Sequence, residues 1–251
     1  VGFLIALSTL LVGGKRKGYL HISPHDRWRF DKESMRAIVK VGGNAAIEQV
    51  GMRFGFFVYA RILFSLGTTM YAANQICMQL LNLTFTFGDG LGVAGTALVG
   101  QNLGRKRPDL SMLYGKICQR FAVMVSLLLG VLILVFRRTL ASWFIGADTM
   151  NADLVIDYAA RTLIVLAAIQ PFQTSAVVLS GSLRGAGDNL YVALISTICI
   201  SVVRPAMAVL AVNVLHLDLV GVWVFGMSEI AIRFFFFYPR FASGKWKDKK
   251  I

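Results

Sequence analysis

The stretch ICQRFAVMVSLLLGVLILVF, residues 117–136, decides the class of fold. Nearly all of its side chains are apolar, and its length is close to the roughly 20 residues that a helix needs to cross a ~30 Å hydrocarbon core. Strands that cross a membrane would appear as alternating segments of about ten residues, and the sequence shows no such pattern. We therefore predict an all-α fold, a polytopic transmembrane helix bundle.

The charges of the chain are few and clustered. Charged residues make up 16% of the 251 residues and hydrophobic residues 56%, whereas about a quarter of a soluble domain is charged. The formal net charge is +13, and the basic residues lie mainly in segments 15–40, 105–107 and 245–250. Basic clusters on alternate loops are typical of the cytoplasmic side of membrane proteins. We therefore expect a lipid bilayer around the chain and no nucleic-acid partner.

The apolar runs and the loop charges predict six membrane spans with both ends on the cytoplasmic side. We interpret residues 1–12 as the end of a preceding transmembrane helix, and the chain as a fragment of a longer protein. Residues 13–40 are predicted to form a cytoplasmic connector, 41–243 the six-helix bundle and 244–251 a basic cytoplasmic tail. The spans are expected near residues 41–66, 70–99, 117–136, 154–183, 190–214 and 219–237.

Three acids lie inside predicted spans, where an ionised side chain costs a few kcal/mol and marks a functional candidate. The first, Glu48, lies about 12 Å along the helix axis from Lys40, with Met52 on the same face. It either binds a proton, Na+ or a cationic substrate, or forms a structural ion pair with an arginine on another helix. Gln49 and Arg53 are neighbours on an adjacent stripe, one helical turn apart.

The second acid, Asp89, lies between glycines in FTFGDGLG, residues 85–92, near the expected bilayer midplane. Glycines weaken the helix, and we expect them to expose backbone carbonyls beside the carboxylate, as broken helices do at transporter sites. We predict that Asp89 binds a cation. The alternative is that it pairs with Arg204 or Arg61.

The third acid, Glu229, is predicted to be structural, because Arg233 follows four residues later in the favourable order for a same-helix pair. Arg204 precedes Pro205 and is expected to hold a carboxylate or the carbonyl groups freed at a kink. A row of amides on the second span suits hydrogen bonds between helices first and cavity lining second; it comprises Asn74, Gln75, Gln79 and Asn82.

Three motifs resemble those of the MATE family of multidrug and toxic compound extrusion transporters. They are GNAAIEQ at 43–49, GTALVGQNLG at 95–104 and GSLRGAGD at 181–188. In this order and spacing they look like the seventh-to-eighth, eighth-to-ninth and tenth-to-eleventh helix regions of the family. The resemblance implies twelve helices in two six-helix lobes that face a central cavity. This chain would supply the end of helix six, the connector and the C-terminal lobe.

The resemblance also implies a function and a location. The expected activity is export of cationic or amphiphilic drugs and toxic organic compounds in exchange for H+ or Na+, with no other cofactor. The expected partners are the missing N-terminal lobe, the bilayer and these small substrates, in a bacterial plasma membrane. Many members carry a functional glutamate in helix seven, two turns after a proline. Here Met52 and Asn44 occupy those two positions, and Glu48 lies one turn earlier.

Two other functions remain open at this point. A flippase for a lipid-linked saccharide, from the same superfamily, is consistent with Arg53, Arg61 and Arg204 inside the spans. A membrane scaffold that transports nothing is the other alternative. We do not expect an enzyme or a metal site, because no catalytic or metal-ligating set converges within the spans and the three cysteines are far apart.

Overall fold

The computed structural model describes residues 32–145 and 151–246. The predicted helix end at 1–12, most of the predicted connector and residues 247–251 lie outside this part of the chain. Within the first helix, the side chain of Glu48 also lies outside the described residues. The described residues are almost entirely helical and contain no strand, so the predicted all-α fold is confirmed for them.

The helices follow one another with short connections, and we number them in chain order. A stretch of π-helix lies on each side of the short helix Arg204–Val209, at Cys199–Val203 and Leu210–Val214. The α-helices are α1 Lys32–Phe64, α2 Thr68–Gly104, α3 Pro108–Ser142, α4 Ala152–Gly185, α5 Asn189–Ile198, α6 Arg204–Val209 and α7 Leu219–Ala242.

Four described segments are long and apolar enough to cross a membrane. They are α3, α4, the combined helix Asn189–Val214 and α7. Helix α2 has 37 residues but is not among them, because one of its sides is polar. The count of six spans therefore stays a prediction for α1 and α2. Helix α1 is continuous from Lys32 to Phe64, so no loop lies at the predicted boundary near residue 40.

The combined helix Asn189–Val214 changes its hydrogen-bond pattern around Pro205. Proline has no N–H to donate and its ring crowds the carbonyl four residues earlier, which here belongs to Ser201. That residue lies in the first π-helical stretch. The hydroxyl of Ser201 points to α1, where it donates a hydrogen bond of 2.7 Å to the carbonyl oxygen of Gly51. The predicted interruption at Arg204–Pro205 is therefore present, as a change of helix type.

Helices α2 and α4 approach each other so closely that glycines occupy both sides of the contact. A Cβ at Gly181 would overlap the carbonyl oxygen of Gly92, and one at Gly185 would overlap that of Thr96. Thr96 Oγ1 donates to the carbonyl oxygen of Gly181 over 2.8 Å, across the interface. Small residues at helical spacing allow such contacts in membranes, where no hydrophobic effect drives helices together.

Helices α2 and α4 end at the same side of the bundle in the same kind of turn. At the end of α4, Gly187 has φ 83° and the N–H of Asp188 donates to Leu183 O over 2.9 Å. At the end of α2, Lys106 has φ 58° and the N–H of Arg107 donates to Asn102 O over 2.9 Å. Both are Schellman motifs, which satisfy carbonyls that the helix leaves free.

We expect the α2–α4 contact to be the packing interaction most sensitive to added volume. Gly181→Ala should destabilise the protein by about 1–3 kcal/mol, the usual cost of overpacking, because the new methyl group meets backbone that cannot move aside. Gly90→Ala is the matched control, since a Cβ at Gly90 meets nothing within 4 Å. The measurement is the midpoint of thermal unfolding of the purified full-length protein. Equal midpoints for the two variants would show that the contact is looser than described.

Candidate functional site

One face of α2 is polar and exposed on the surface of the lobe. Its polar residues recur at intervals of four and three, so they follow one side of the helix. The Asp89 carboxyl lies about 5 Å along the axis from Thr86, the central residue of this 37-residue helix. The face, which we call the polar face, consists of Gln75, Gln79, Asn82, Thr86 and Asp89.

The opposite side of α2 is packed and holds the polar face in position. Gly88, Gly92 and Gly95 are buried there, against Thr174, Val177 and Ser182 of α4. Asn74 is also on the packed side, where its Oδ1 accepts a hydrogen bond of 2.9 Å from Trp223 Nε1 of α7. Because the packed side is fixed by glycine contacts, α2 cannot rotate to bury its polar residues without losing the α2–α4 interface.

The amides of the second span therefore fall into two groups. Asn74 forms the predicted hydrogen bond between helices. Gln75, Gln79 and Asn82 do not: they are exposed, and Gln75 Nε2 donates only to Tyr71 Oη of its own helix, over 3.0 Å. Packing between helices stays a prediction for these three, since they make no hydrogen bond to another helix among the described residues.

A cavity of about 380 Å³ lies beside the first part of the polar face. Gln75 and Gln79 contribute the amide groups, and the other walls are apolar. A cavity with mainly apolar walls and a few polar groups is the usual form of a small-molecule site, and 300–1,000 Å³ is the typical size. Its remaining lining residues are Ala72, Ile76, Phe144, Ile145 and Val155.

Asp89 has no ion-pair partner among the described residues. The alternative that it pairs with Arg204 is wrong, because that arginine binds Glu229, and the exposed Arg61 shows no pairing with it in the described part of the chain. The helix is also continuous through the glycines on either side of Asp89. What Asp89 offers is a single exposed carboxylate near the middle of a long helix.

A second polar group is entirely buried and links α4, α6 and α7. Glu229, fully buried, accepts hydrogen bonds from Arg204 of α6 and from Arg233 Nε over 2.7 Å. Arg233 Nη2 also lies 3.4 Å from Gln173 Oε1 of α4. The spacing of Glu229 and Arg233 predicted their pair, and Arg204 was expected to hold a carboxylate. The group carries two positive charges and one negative charge, so its carboxylate is the counter-ion for both guanidiniums.

Aromatic rings from α1 complete the surroundings of Arg204. Its guanidinium carbon lies 5.0 Å from the ring centre of Phe56 and 5.8 Å from that of Tyr59. Such contacts stabilise a cation through the negative face of the ring. The Nε and Nη1 atoms of Arg204 and the Tyr59 hydroxyl have no hydrogen-bond partner within the described ranges. The arginine is thus fixed by one carboxylate and two rings, which indicates a structural role.

The remaining candidates on α1 lie on two sides of that helix. Gly51 and Gly55 face Ser201. Gln49 and Arg53 each lie two residues from Gly51 in the sequence, so they are on the other side of the helix, where they are exposed. Met52 is half-buried. No candidate on α1 contacts Asp89 in the described part of the chain, so the structure brings together Gln75 and Gln79 but not the α1 and α2 candidates.

Two buried polar groups were missed by sequence reasoning. Gln170 is buried on α4, one turn before Gln173, and its side-chain amide has no hydrogen-bond partner in the part of the chain that the structure describes. Asp188, after α4, accepts a hydrogen bond of 2.8 Å from Arg240 Nε of α7 and is fully buried. The signal for Gln170 was a polar residue inside an apolar run. No sequence signal pointed to the pair of Asp188 and Arg240, because these residues are 52 positions apart in the chain.

We predict that Glu229→Gln destabilises the protein by about 3–5 kcal/mol, the cost of breaking a buried ion pair by removing one partner. The change leaves Arg204 and Arg233 buried without a counter-ion. Asp109→Asn is the matched control, because it breaks an exposed pair with Arg107 that is worth about 0–1 kcal/mol. The readout is the thermal unfolding midpoint of the full-length protein.

A second variant separates charge from packing at this group. Adding Arg204→Met to Glu229→Gln removes one of the two unneutralised charges, so we expect the midpoint to rise from that of the single variant. A double variant that unfolds at a lower temperature than Glu229→Gln alone would contradict the assignment of Glu229 as the counter-ion.

Comparison with known proteins places these features in context. The family model described as MatE matches residues 45–210. The chain is 27% identical over 228 residues to a probable multidrug resistance protein NorM of Thermotoga maritima, a match that covers 90% of this chain and 47% of that protein. A protein of the same description from Bradyrhizobium diazoefficiens is 29% identical over 223 residues, covering 87% and 47%.

Solved structures show the same fold. A MATE crystallised in complex with MaL6 superposes with a TM-score of 0.80 at 20% identity, over 96% of this chain and 54% of that one. A MOP superfamily transporter from Pyrococcus furiosus gives a TM-score of 0.78 at 19% identity, with the same coverage. The chain spans about half the length of the curated relatives that it matches.

Proposed function

The chain belongs to the MatE family, and from that premise we propose that it forms the second lobe of a drug-exporting antiporter. The complete protein exports cationic or amphiphilic organic compounds in exchange for H+ or Na+. Its other lobe, of six further helices, closes the transport cavity. The family relatives described as multidrug resistance proteins support the substrate class.

The observation that carries the proposal is the unpaired carboxylate of Asp89 on the polar face. An ionisable side chain near the middle of a membrane helix is too costly to face lipid, and such residues line water-filled cavities or substrate paths. The polar face is exposed along several turns of α2, so a water-filled space or another part of the protein must cover it. A cavity between two lobes meets this requirement.

One carboxylate can serve both the drug and the coupling ion. A proton, Na+ or an organic cation each neutralises Asp89, so they compete for the same charge. Exchange results if the proton or Na+ enters from one side and displaces the drug toward the other, with the lobes alternating between two states. The amides at Gln75 and Gln79, beside the apolar cavity, suit the uncharged part of an amphiphilic molecule.

The basic residues support an orientation with the carboxyl end in the cytoplasm of the cell. Arg105, Lys106 and Arg107 lie in the α2–α3 turn, and Lys245 follows α7. The opposite end of α3 carries Arg137 and Arg138. Positively charged loops stay on the cytoplasmic side, so the α2–α3 turn is inside and the protein spans the plasma membrane.

The test is Asp89→Asn in the full-length protein, reconstituted in vesicles with a fluorescent cationic dye. A hydrogen bond to a charged group is worth about 1.5–3 kcal/mol, so we expect dye transport at limiting concentration to fall by about tenfold or more. Asp109→Asn is the matched control, because it removes the same charge from an exposed site. Imposed pH and Na+ gradients, applied separately, identify the coupling ion.

The result is read together with protein abundance and the unfolding midpoint. Wild-type transport by Asp89→Asn would overturn the role of the polar face. Loss of transport in both variants would point to a general effect of charge rather than to this carboxylate.

A second candidate function is a flippase for a lipid-linked saccharide, and the exposed arginines of α1 favour it. Arg53 and Arg61 lie outside the packed side of α1, and guanidiniums suit phosphate groups better than they suit cationic drugs. Arg53→Gln separates the two functions. A drug exporter keeps or increases its efflux of the cationic dye, whereas a flippase loses transport of its phosphate-bearing substrate. A scaffold would transport neither molecule.

A further inference from the structure

The exposed face of α3 is a continuous apolar surface. Beyond Arg120 it carries large apolar side chains at helical spacing, and most of them are at least half exposed. This contrasts with the polar face of α2, so the two helices meet different surroundings. A face of this composition on a membrane-spanning helix faces lipid. Its members include Phe121, Met124, Leu127, Leu128, Val131 and Val135.

Two cations interrupt this lipid-facing surface near one end. Lys116 and Arg120 are exposed, four residues apart, and lie on the same side as Leu113, Ile117 and Phe121. Neither of the two cations has an ion pair or a side-chain hydrogen bond among the described residues. The nearest acid on the helix, Asp109, pairs with Arg107 instead.

The spacing of charges along α3 places these cations at the edge of the hydrocarbon. The next charged residue after Arg120 is Arg137, which is 17 residues and about 26 Å further along the axis. A bilayer core is about 30 Å thick, so both arginines must reach toward the headgroups with their side chains. At that depth the available acceptors are lipid phosphates.

The carboxyl-terminal end of the described chain packs against the same part of α3. Gly115 lies against the ring of Phe241. The Trp246 ring stacks on that phenylalanine, with 5.4 Å between the ring centres. Lys245, exposed, precedes this tryptophan. Lys116 follows Gly115 and Lys245 precedes Trp246 in the chain, so both lysines lie at the end of the lobe that adjoins the α2–α3 turn.

We propose that Lys116 and Arg120 bind the phosphate of an anionic phospholipid in the leaflet next to the α2–α3 turn. Two adjacent cations attract a headgroup that has a net negative charge, whereas the ammonium of a zwitterionic headgroup is repelled by them. Lysines and arginines near an anionic membrane surface are attracted to it. Lys245 adds to the same field. The site does not depend on the transport function.

The test uses the full-length protein in nanodiscs of phosphatidylcholine alone and of phosphatidylcholine mixed with phosphatidylglycerol. The anionic lipid should raise the thermal unfolding midpoint of the wild type and remain bound in native mass spectra. In Lys116→Gln/Arg120→Gln, we expect more than half of this rise to be lost and fewer anionic lipids to be retained. In phosphatidylcholine alone, the variant should unfold at the wild-type temperature, because neither side chain has a protein partner.

The control variant is Arg105→Gln/Lys106→Gln, which removes two charges from the same end but not from the lipid-facing side of α3. It should keep the rise in midpoint. An equal loss in both double variants, or no loss in Lys116→Gln/Arg120→Gln, would overturn the proposal. So would an equal rise on adding inorganic phosphate to phosphatidylcholine nanodiscs, since that would identify a phosphate site and not a lipid site.

Discussion

The close approach of α2 and α4 is the contact on which the rest of the lobe depends. In a bilayer no hydrophobic effect pulls helices together, so van der Waals contact and hydrogen bonds between helices must hold them. Glycines at 92 and 181 bring the two backbones together, and Thr96 adds a hydrogen bond across the interface. Since this contact fixes the rotation of α2, it also decides which of its side chains remain outside.

The helices of the lobe differ in what their free faces meet. The free side of α2 carries the polar face beside exposed apolar residues such as Leu83 and Phe87, and it suits a second lobe, while that of α3 is apolar and suits lipid. Buried charge is paired inside the lobe, where Glu229 accepts hydrogen bonds from arginines of two helices. The lobe thus separates a structural charge group from the exposed carboxylate of Asp89. A transporter needs that separation, because its functional charge must be free to exchange ligands.

Much of the helix arrangement could be predicted from the sequence, and the failures have physical causes. Apolar runs and basic turns located the helices, because a span needs a minimum length and lysines and arginines resist crossing. The glycines around Asp89 were expected to expose backbone carbonyls, yet α2 continues through them as a regular helix. Gly88 and Gly92 pack against α4 instead, a role that depends on residues far away in the chain. The spacing of the amides at 75, 79 and 82 placed them on one side of α2, but it did not specify which way that side faces.

The sequence by itself determined that the chain is an all-α membrane protein, because hydropathy and length act locally and need no partner. It also determined the pair of Glu229 and Arg233, since residues four apart on a helix are always neighbours. Only the tertiary structure decided that Arg204 shares this carboxylate, that Asp188 meets Arg240, and that Asp89 meets no cation in the described residues. These outcomes depend on how helices distant in the chain rotate and pack, and no local pattern specifies that.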